Sequence, residues 1–299
     1  MLLRGEVAFE RYGHQPDTIF GPGGPVDAGT PLVSWSMAKS ITHAAVGILV
    51  AEGRLDPAGP APVPEWRGTE KERITLQHLL EMRSGLRFVE DYVDDRTSHC
   101  IEMLFGAGAD DVAGYAAALP LDHEPGTVWN YSSGTTNIIS RIVGAAVGGG
   151  RDGMEAFLRE RLFEPAGMTS ATPRFDAAGT FVGSSYVDAT ARDFARFGEL
   201  YRCGGVTPEG TRILPERWVD HAVRRSASDP ESRFDYGAHW WLWRELPGAF
   251  SANGYEGQYT VVVPDDELVV VHLGKTPAER RTILEEHLLT LLGSASNGA

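Results

Sequence analysis

Strand-forming sequence is confined to the two ends of this 299-residue chain, and that limits the folds open to it. Val7, Phe9 and Tyr12 lie in an extended opening segment, followed by a Gly/Pro turn over 21–25. Near the other end, residues 240–243, 259–263 and 268–273 read as strands, and the last two flank Pro264-Asp265-Asp266-Glu267 as a hairpin. Apolar spacing in between predicts helices. A buried one begins near Ser36, runs through Val50 and stops at Gly53; others cover 74–82, 137–147 and 189–202. A last amphipathic helix over 277–292 carries Leu284, Leu288, Leu291 and Leu292 on one face, before a frayed tail after Gly293. The terminal strands can pack into one antiparallel sheet, which leaves the helical middle as an insertion. The expected fold is therefore α/β of the α+β type. An antiparallel sheet domain is built from 1–55 and 225–299 and flanked by helices. A mainly helical domain, 56–224, is inserted into it, and the cleft lies between the two.

Composition narrows the function classes. A net charge of −14, with no Lys/Arg cluster, argues against nucleic acid or an anionic membrane as partner. No apolar stretch has the length of a membrane span, and the start lacks the pattern of a secretory signal, so a cytoplasmic location is expected. Cys100 and Cys203 form no metal-type spacing and are expected to be reduced. None of the nine histidines has zinc-ligand spacing, and Gly-x-Ser-x-Gly is absent.

Lysine is nearly missing. Only Lys39, Lys71 and Lys275 accompany 24 arginines, and Lys39 stands three residues after Ser36 at a predicted helix start. Arginine stays protonated in proteins, whereas a desolvated lysine gives up its proton. Positions i and i+3 face one side of a helix, so Lys39 can serve Ser36 as a base. The helix N-terminus adds positive potential where an oxyanion would form. A second candidate, Tyr131, follows the turn at Pro125-Gly126 and precedes the helix expected from Asn137.

Ser36-Met37-Ala38-Lys39, then Tyr131-Ser132-Ser133, then Gly254-Tyr255-Glu256-Gly257-Gln258 occur in the order of the serine β-lactamase-like superfamily. The chain resembles that group over about residues 5–274, most closely its branch of 6-aminohexanoate-dimer hydrolases and family VIII carboxylesterases. The resemblance implies that Ser36 is the acylated nucleophile, Lys39 its base, and Tyr131 the proton carrier to the leaving group. It also implies that Tyr255-Glu256-Gly257 stands for Lys/His-Thr-Gly on an edge strand beside the nucleophile, with the backbone N–H groups of Ser36 and Gln258 as oxyanion hole. Ser133, Tyr255, Gly257 and Tyr92 would contact substrate, Tyr92 from a loop over the pocket. No metal or cofactor is implied.

Two departures from the family pattern shape the expected substrate. Ser133 replaces the asparagine of Tyr-x-Asn, and Tyr255 replaces the cation that binds a substrate carboxylate. Both shift the expectation from β-lactams toward carboxylic esters and small amides, hydrolysed through an acyl-enzyme on Ser36. The alternatives are a β-lactamase or D-alanyl peptidase activity, or a slowly acylated sensor. Lys275-Thr276-Pro277 mimics the third motif, but its proline suits the first turn of the last helix. The aromatic run 240–243 reads as core and sheet packing, and His43 as a satisfied helix histidine. The fold usually carries a longer segment ahead of the first strand, so the last helix covers its sheet face alone or a homodimer helps.

Overall fold

The computed structural model describes residues 1–17 and 22–296; Gly21 of the expected turn and the tail beyond Ser296 lie outside them. The strands are β1 Leu2–Leu3, β2 Glu6–Val7, β3 His14–Gln15, β4 Gly24–Pro25, β5 Leu32–Val33, β6 Thr172–Pro173, β7 Val187–Ala189, β8 Ala227–Ser228, β9 Phe234–Tyr236, β10 Trp241–Trp243, β11 Phe250–Gly254, β12 Gln258–Val263 and β13 Leu268–His272. The helices are α1 Ala38–Ala51, α2 Leu76–Leu80, α3 His99–Phe105, α4 Val112–Ala118, α5 Ser133–Val147, α6 Gly150–Leu158, α7 Ala191–Arg202, α8 Trp218–Val223 and α9 Arg281–Ser296.

The chain ends do join. One eight-stranded sheet runs β2-β1-β13-β12-β11-β10-β9-β8, with Leu2 opposite Val269 and each neighbouring pair antiparallel. The β12–β13 hairpin closes at Val263 opposite Leu268, through a turn over Pro264–Asp266 and Glu267 at φ 51°. Alternation along β12 divides its side chains between two layers. Tyr259, Val261 and Val263 pack with Leu288 and Leu292 of α9. Thr260 and Val262 face α7, where Gly198 allows close approach: a Cβ there would stand 3.0 Å from Thr260 and 2.6 Å from Val269. With both faces covered, all six residues of β12 are buried. Helix α9 covers that face of the sheet with Leu288 and Leu292.

Three differences from the sequence reading matter for the site. Helix α5 begins at Ser133, four residues before Asn137, because the Ser132 hydroxyl caps it by accepting from the Thr135 N–H at 3.0 Å. Helix α7 lies inside the stretch 56–224 yet packs on the sheet. Two small sheets also occur: β3 with β4, and β5 with β7 and β6. Their strands of two or three residues are too short for periodicity to reveal. The pairing of β5 with β7 is consequential, since it ties the chain just ahead of Ser36 to residues 187–189.

Candidate active site

Ser36 lies in a tight turn, Trp35–Met37, that leads into α1. Two anchors hold that turn. The Ser34 N–H donates to the Val187 carbonyl at 2.9 Å, and the Ser34 hydroxyl accepts from the Val187 N–H at 3.0 Å. Trp35 sits at φ 43°, a left-handed conformation that strains a bulky residue by about 1–3 kcal/mol. The surrounding packing sustains that strain and sets the serine at the mouth of a cleft of about 90 Å³, lined by Trp35, Ser36, Tyr92, Cys100, Ser133 and Tyr255 among others.

Lys39, only 2% exposed, reaches three oxygens: Ser36 Oγ at 2.9 Å, Ser133 Oγ at 3.0 Å and the Ser184 carbonyl at 2.9 Å. No carboxylate among the described residues lies within ion-pair distance of its Nζ. Burial pulls its pKa below the ordinary lysine value, against the opposing pull of the more distant Glu90 charge. A buried amine with no direct counter-ion is suited to being neutral, which is the state a base requires.

The Tyr131 hydroxyl faces Ser36, and its ring lies 4.9 Å from Lys39 Nζ. Burial raises its pKa above the ordinary phenol value, and the Glu90 charge adds to this, so Tyr131 is a neutral phenol that can hand protons on. Trp241, 5.2 Å away between ring centroids, and Tyr236, edge-on at 6.0 Å, hold it. The aromatic run 240–243 packs in the core and on the sheet, as expected. Trp240 is wholly buried against Phe197, while Trp241 props the tyrosine.

The structure thus brings together Ser36, Lys39, Tyr131 and Ser133, with Tyr92 and Tyr255 on the cleft wall, their ring centroids 4.8 Å apart. It does not bring Gly257 or Gln258 to that wall. Tyr255-Glu256-Gly257 is not on an edge strand: it is the turn joining β11 to β12, both inside the sheet, with positive φ at Glu256 and Gly257. A Cβ on Gly257 would meet Leu284 of α9 at 2.8 Å, away from the nucleophile. The glycine that abuts the nucleophile turn is Gly254, where a Cβ would stand 2.5 Å from the Ser34 carbonyl oxygen. Gln258 instead props the segment ahead of Ser36, its side-chain amide donating to the Val33 carbonyl at 2.9 Å.

One residue of the site was missed in the sequence. Glu90 accepts from the Ser133 N–H at 2.7 Å, from the Ser133 hydroxyl at 2.6 Å and from the Tyr92 hydroxyl at 2.8 Å. The signal that could have found it is the departure at Ser133, since a hydroxyl in place of an amide needs a different partner. Other expectations are met. His43 is satisfied by the Tyr201 hydroxyl at 2.8 Å and by His221 at 3.1 Å, both cysteines are free thiols, and Lys275 lies between β13 and α9.

The β-lactamase family model matches residues 2–290. The chain belongs to the β-lactamase family. The resemblance to that superfamily is thereby borne out. A 6-aminohexanoate-dimer hydrolase of Paenarthrobacter ureafaciens is 30% identical over 263 residues, 81% of this chain but 65% of that protein. This β-lactamase-family chain is thus shorter than that relative, spanning just under two thirds of its length. Among solved structures, a Bacillus anthracis protein assigned as a 6-aminohexanoate-dimer hydrolase superposes with TM-score 0.76 at 24% identity, over 89% of this chain and 73% of that one. A family VIII carboxylesterase gives 0.65 at 17%, over 88% and 84%. At those identities the two structures show the fold alone, and they support the mixed α/β architecture. Among the described residues no helix is long and apolar enough to cross a membrane.

Proposed function

We propose that this chain is a serine hydrolase that cleaves short-acyl carboxylic esters, and more slowly small amides, through an acyl-enzyme on Ser36. The observation that carries the reading is the 2.9 Å contact between Ser36 Oγ and the buried Lys39 amine. In the first step the Ser36 hydroxyl proton passes to the lone pair of Lys39 while Oγ bonds to the substrate carbonyl carbon. The carbonyl π pair becomes an oxyanion. Its donors in this reading are the Ser36 N–H and the N–H that follows Gly254, that of Tyr255, rather than the Gln258 amide. Gly254 supports this choice because it abuts the nucleophile turn, whereas Gly257 faces α9. Collapse of the tetrahedral centre breaks the ester bond. The departing oxygen takes a proton from Tyr131, which recovers one from Lys39. Water then attacks the acyl carbon, loses its proton by the reverse route, and releases the acid with Ser36 restored.

Wall chemistry favours neutral substrates. Tyr255, with Trp35 edge-on at 6.0 Å, turns an aromatic ring to the cleft, and neither lysine nor arginine is among the residues that line it. The test is hydrolysis of p-nitrophenyl acetate and butyrate by wild type and Ser36→Ala, with intact-mass spectrometry after mixing. Turnover with a transient acyl mass, both lost in Ser36→Ala, is expected. A stable adduct without turnover would instead indicate a sensor, and nitrocefin cleavage faster than ester cleavage would return β-lactams to first place.

A further inference from the structure

The proton inventory around Lys39 gives Glu90 a role. A neutral lysine amine has two N–H donors and one lone pair, and here it faces three oxygens at 2.9–3.0 Å. The Ser184 carbonyl can only accept, so one N–H goes there. The Ser133 hydroxyl has a single proton and two sides. On its far side lies Glu90 Oε1 at 2.6 Å, and an ionised carboxylate only accepts. The Ser133 proton is therefore committed to Glu90, and Ser133 must accept from Lys39. Both N–H donors are then used, and the only place left for the lone pair is Ser36 Oγ.

We propose that Glu90 is a positioning residue that acts through Ser133: by holding the Ser133 proton, it directs the Lys39 lone pair at the Ser36 hydroxyl. The inference rests on the hydrolase reading above. It also explains why Ser133 can stand where relatives carry an asparagine. An amide oxygen accepts from lysine without help, whereas a hydroxyl can donate or accept, and Glu90 decides which. Tyr92 belongs to the same device, because its hydroxyl donates to the same Oε1 at 2.8 Å.

Replacement by glutamine would reverse the device without changing its shape. The Ser133 backbone N–H, 2.7 Å from Oε2, can only donate, so it would claim the glutamine carbonyl oxygen. The glutamine amino group would then face the Ser133 hydroxyl and donate to it. That turns the Ser133 proton toward Lys39, where it competes with Ser36 for the lone pair. The charged and titratable groups that face Lys39 are Glu90, Cys100, Tyr131 and His239. Of these, only Glu90 is altered by the substitution. Loss of its negative charge also makes Lys39 easier to deprotonate, so the acidic limb of the rate profile should move to lower pH.

The experiment measures kcat/KM against pH for p-nitrophenyl acetate in wild type, Glu90→Gln, Ser133→Ala and the double variant, with thermal denaturation as a fold check. The expected result is a loss of roughly 10- to 100-fold on the plateau of Glu90→Gln, on the scale of a misdirected general base. Its acidic limb should shift downward, and the double variant should be no slower than Ser133→Ala, since no hydroxyl remains to be turned. Glu90→Gln within about threefold of wild type, an unmoved limb, or losses that multiply in the double variant would each overturn the proposal. If Glu90→Gln does not fold, Ser133→Ala decides, because wild-type activity without that hydroxyl removes the relay. A wild type that turns over no ester overturns the hydrolase reading itself, and is told apart by failing before any variant is compared.

Discussion

Lys39 combines burial with a titratable amine, and the two can be separated by substitution. Lys39→Arg retains a cation but removes the proton acceptor, because a guanidinium does not deprotonate in proteins. Ester turnover should fall by more than about 10³-fold across the whole pH range in which the variant stays folded. In wild type the sign runs the other way. Lys39 must be neutral to act, so kcat/KM should rise with pH and level off at a pKa below the ordinary lysine value, as burial dictates. A limb at the ordinary lysine value would deny that the amine is desolvated in solution. Tyr131→Phe leaves ring packing against Trp241 intact and deletes the proton carrier; a kcat loss of about 10²–10⁴-fold is expected, with KM little changed. At this scale the contact of Ser36 with Lys39 was legible because their i, i+3 spacing encodes it, and Tyr131 was singled out by the family resemblance. Glu90 was not, because a glutamate in a loop 43 residues from Ser133 has no local pattern to mark it.

At the scale of elements, glycines record where segments touch. Gly254 ends β11 directly against the nucleophile turn, and Gly254→Ala should push Ser34 and with it Ser36. A kcat loss of about 10²-fold or more, with the fold retained, is the expected outcome of stopped-flow and denaturation measurements on that variant. Gly47 makes a sharper comparison of magnitudes. In an exposed helix, Gly→Ala stabilises by about 1 kcal/mol. In α1, however, a Cβ at Gly47 would stand 2.3 Å from the Trp218 indole nitrogen, which itself donates to the His43 carbonyl at 3.1 Å. Overpacking of about 1–3 kcal/mol should outweigh the propensity gain, so urea denaturation should show Gly47→Ala less stable than wild type. Helix α5 shows why boundaries escape pattern reading. Its first turn, Ser133-Gly134-Thr135-Thr136, lacks apolar spacing and exists because Ser132 caps it, yet that turn carries the hydroxyl next to Lys39.

Across the whole molecule, two buried histidines, His43 and His239, and the half-buried His221 form a seam. His43 packs against both Trp218 and His221, which also touch each other, and His239 hydrogen-bonds with the Leu80 carbonyl and Thr136. Burial depresses all three, His221 to about 4 and His239 to about 3, with His43 well below its usual value. The unfolded chain therefore takes up protons near the ordinary histidine value of about 6.5 that the folded chain refuses. Stability should be level above that pH and fall as pH drops from about 6.5 toward 4, where the His221 contribution saturates. Between pH 7 and 5, above the main carboxylate range, urea denaturation should record a loss of about 2 kcal/mol for each histidine that stays neutral. A flat profile across that interval would mean the seam opens or was never dry.

Much of the whole fold could also be read from the chain. Strands at both ends, the hairpin at Pro264–Asp266, the buried helix after Ser36 and the closing helix α9 follow from alternation, turn residues and helical spacing. These are local properties, and sequence by itself determined them, together with the serine and lysine one helical turn apart. What only tertiary structure decided was which distant segments would meet. Gly254 rather than Gly257 lies against the turn that carries Ser36, α7 packs on the sheet, β5 pairs with β7, and Ser34 just beyond β5 bonds to Val187, 153 residues away. Glu90 reaches Ser133 by the same kind of meeting. Such contacts depend on sheet order and on the space left between layers, and neither is written in the periodicity of any one segment.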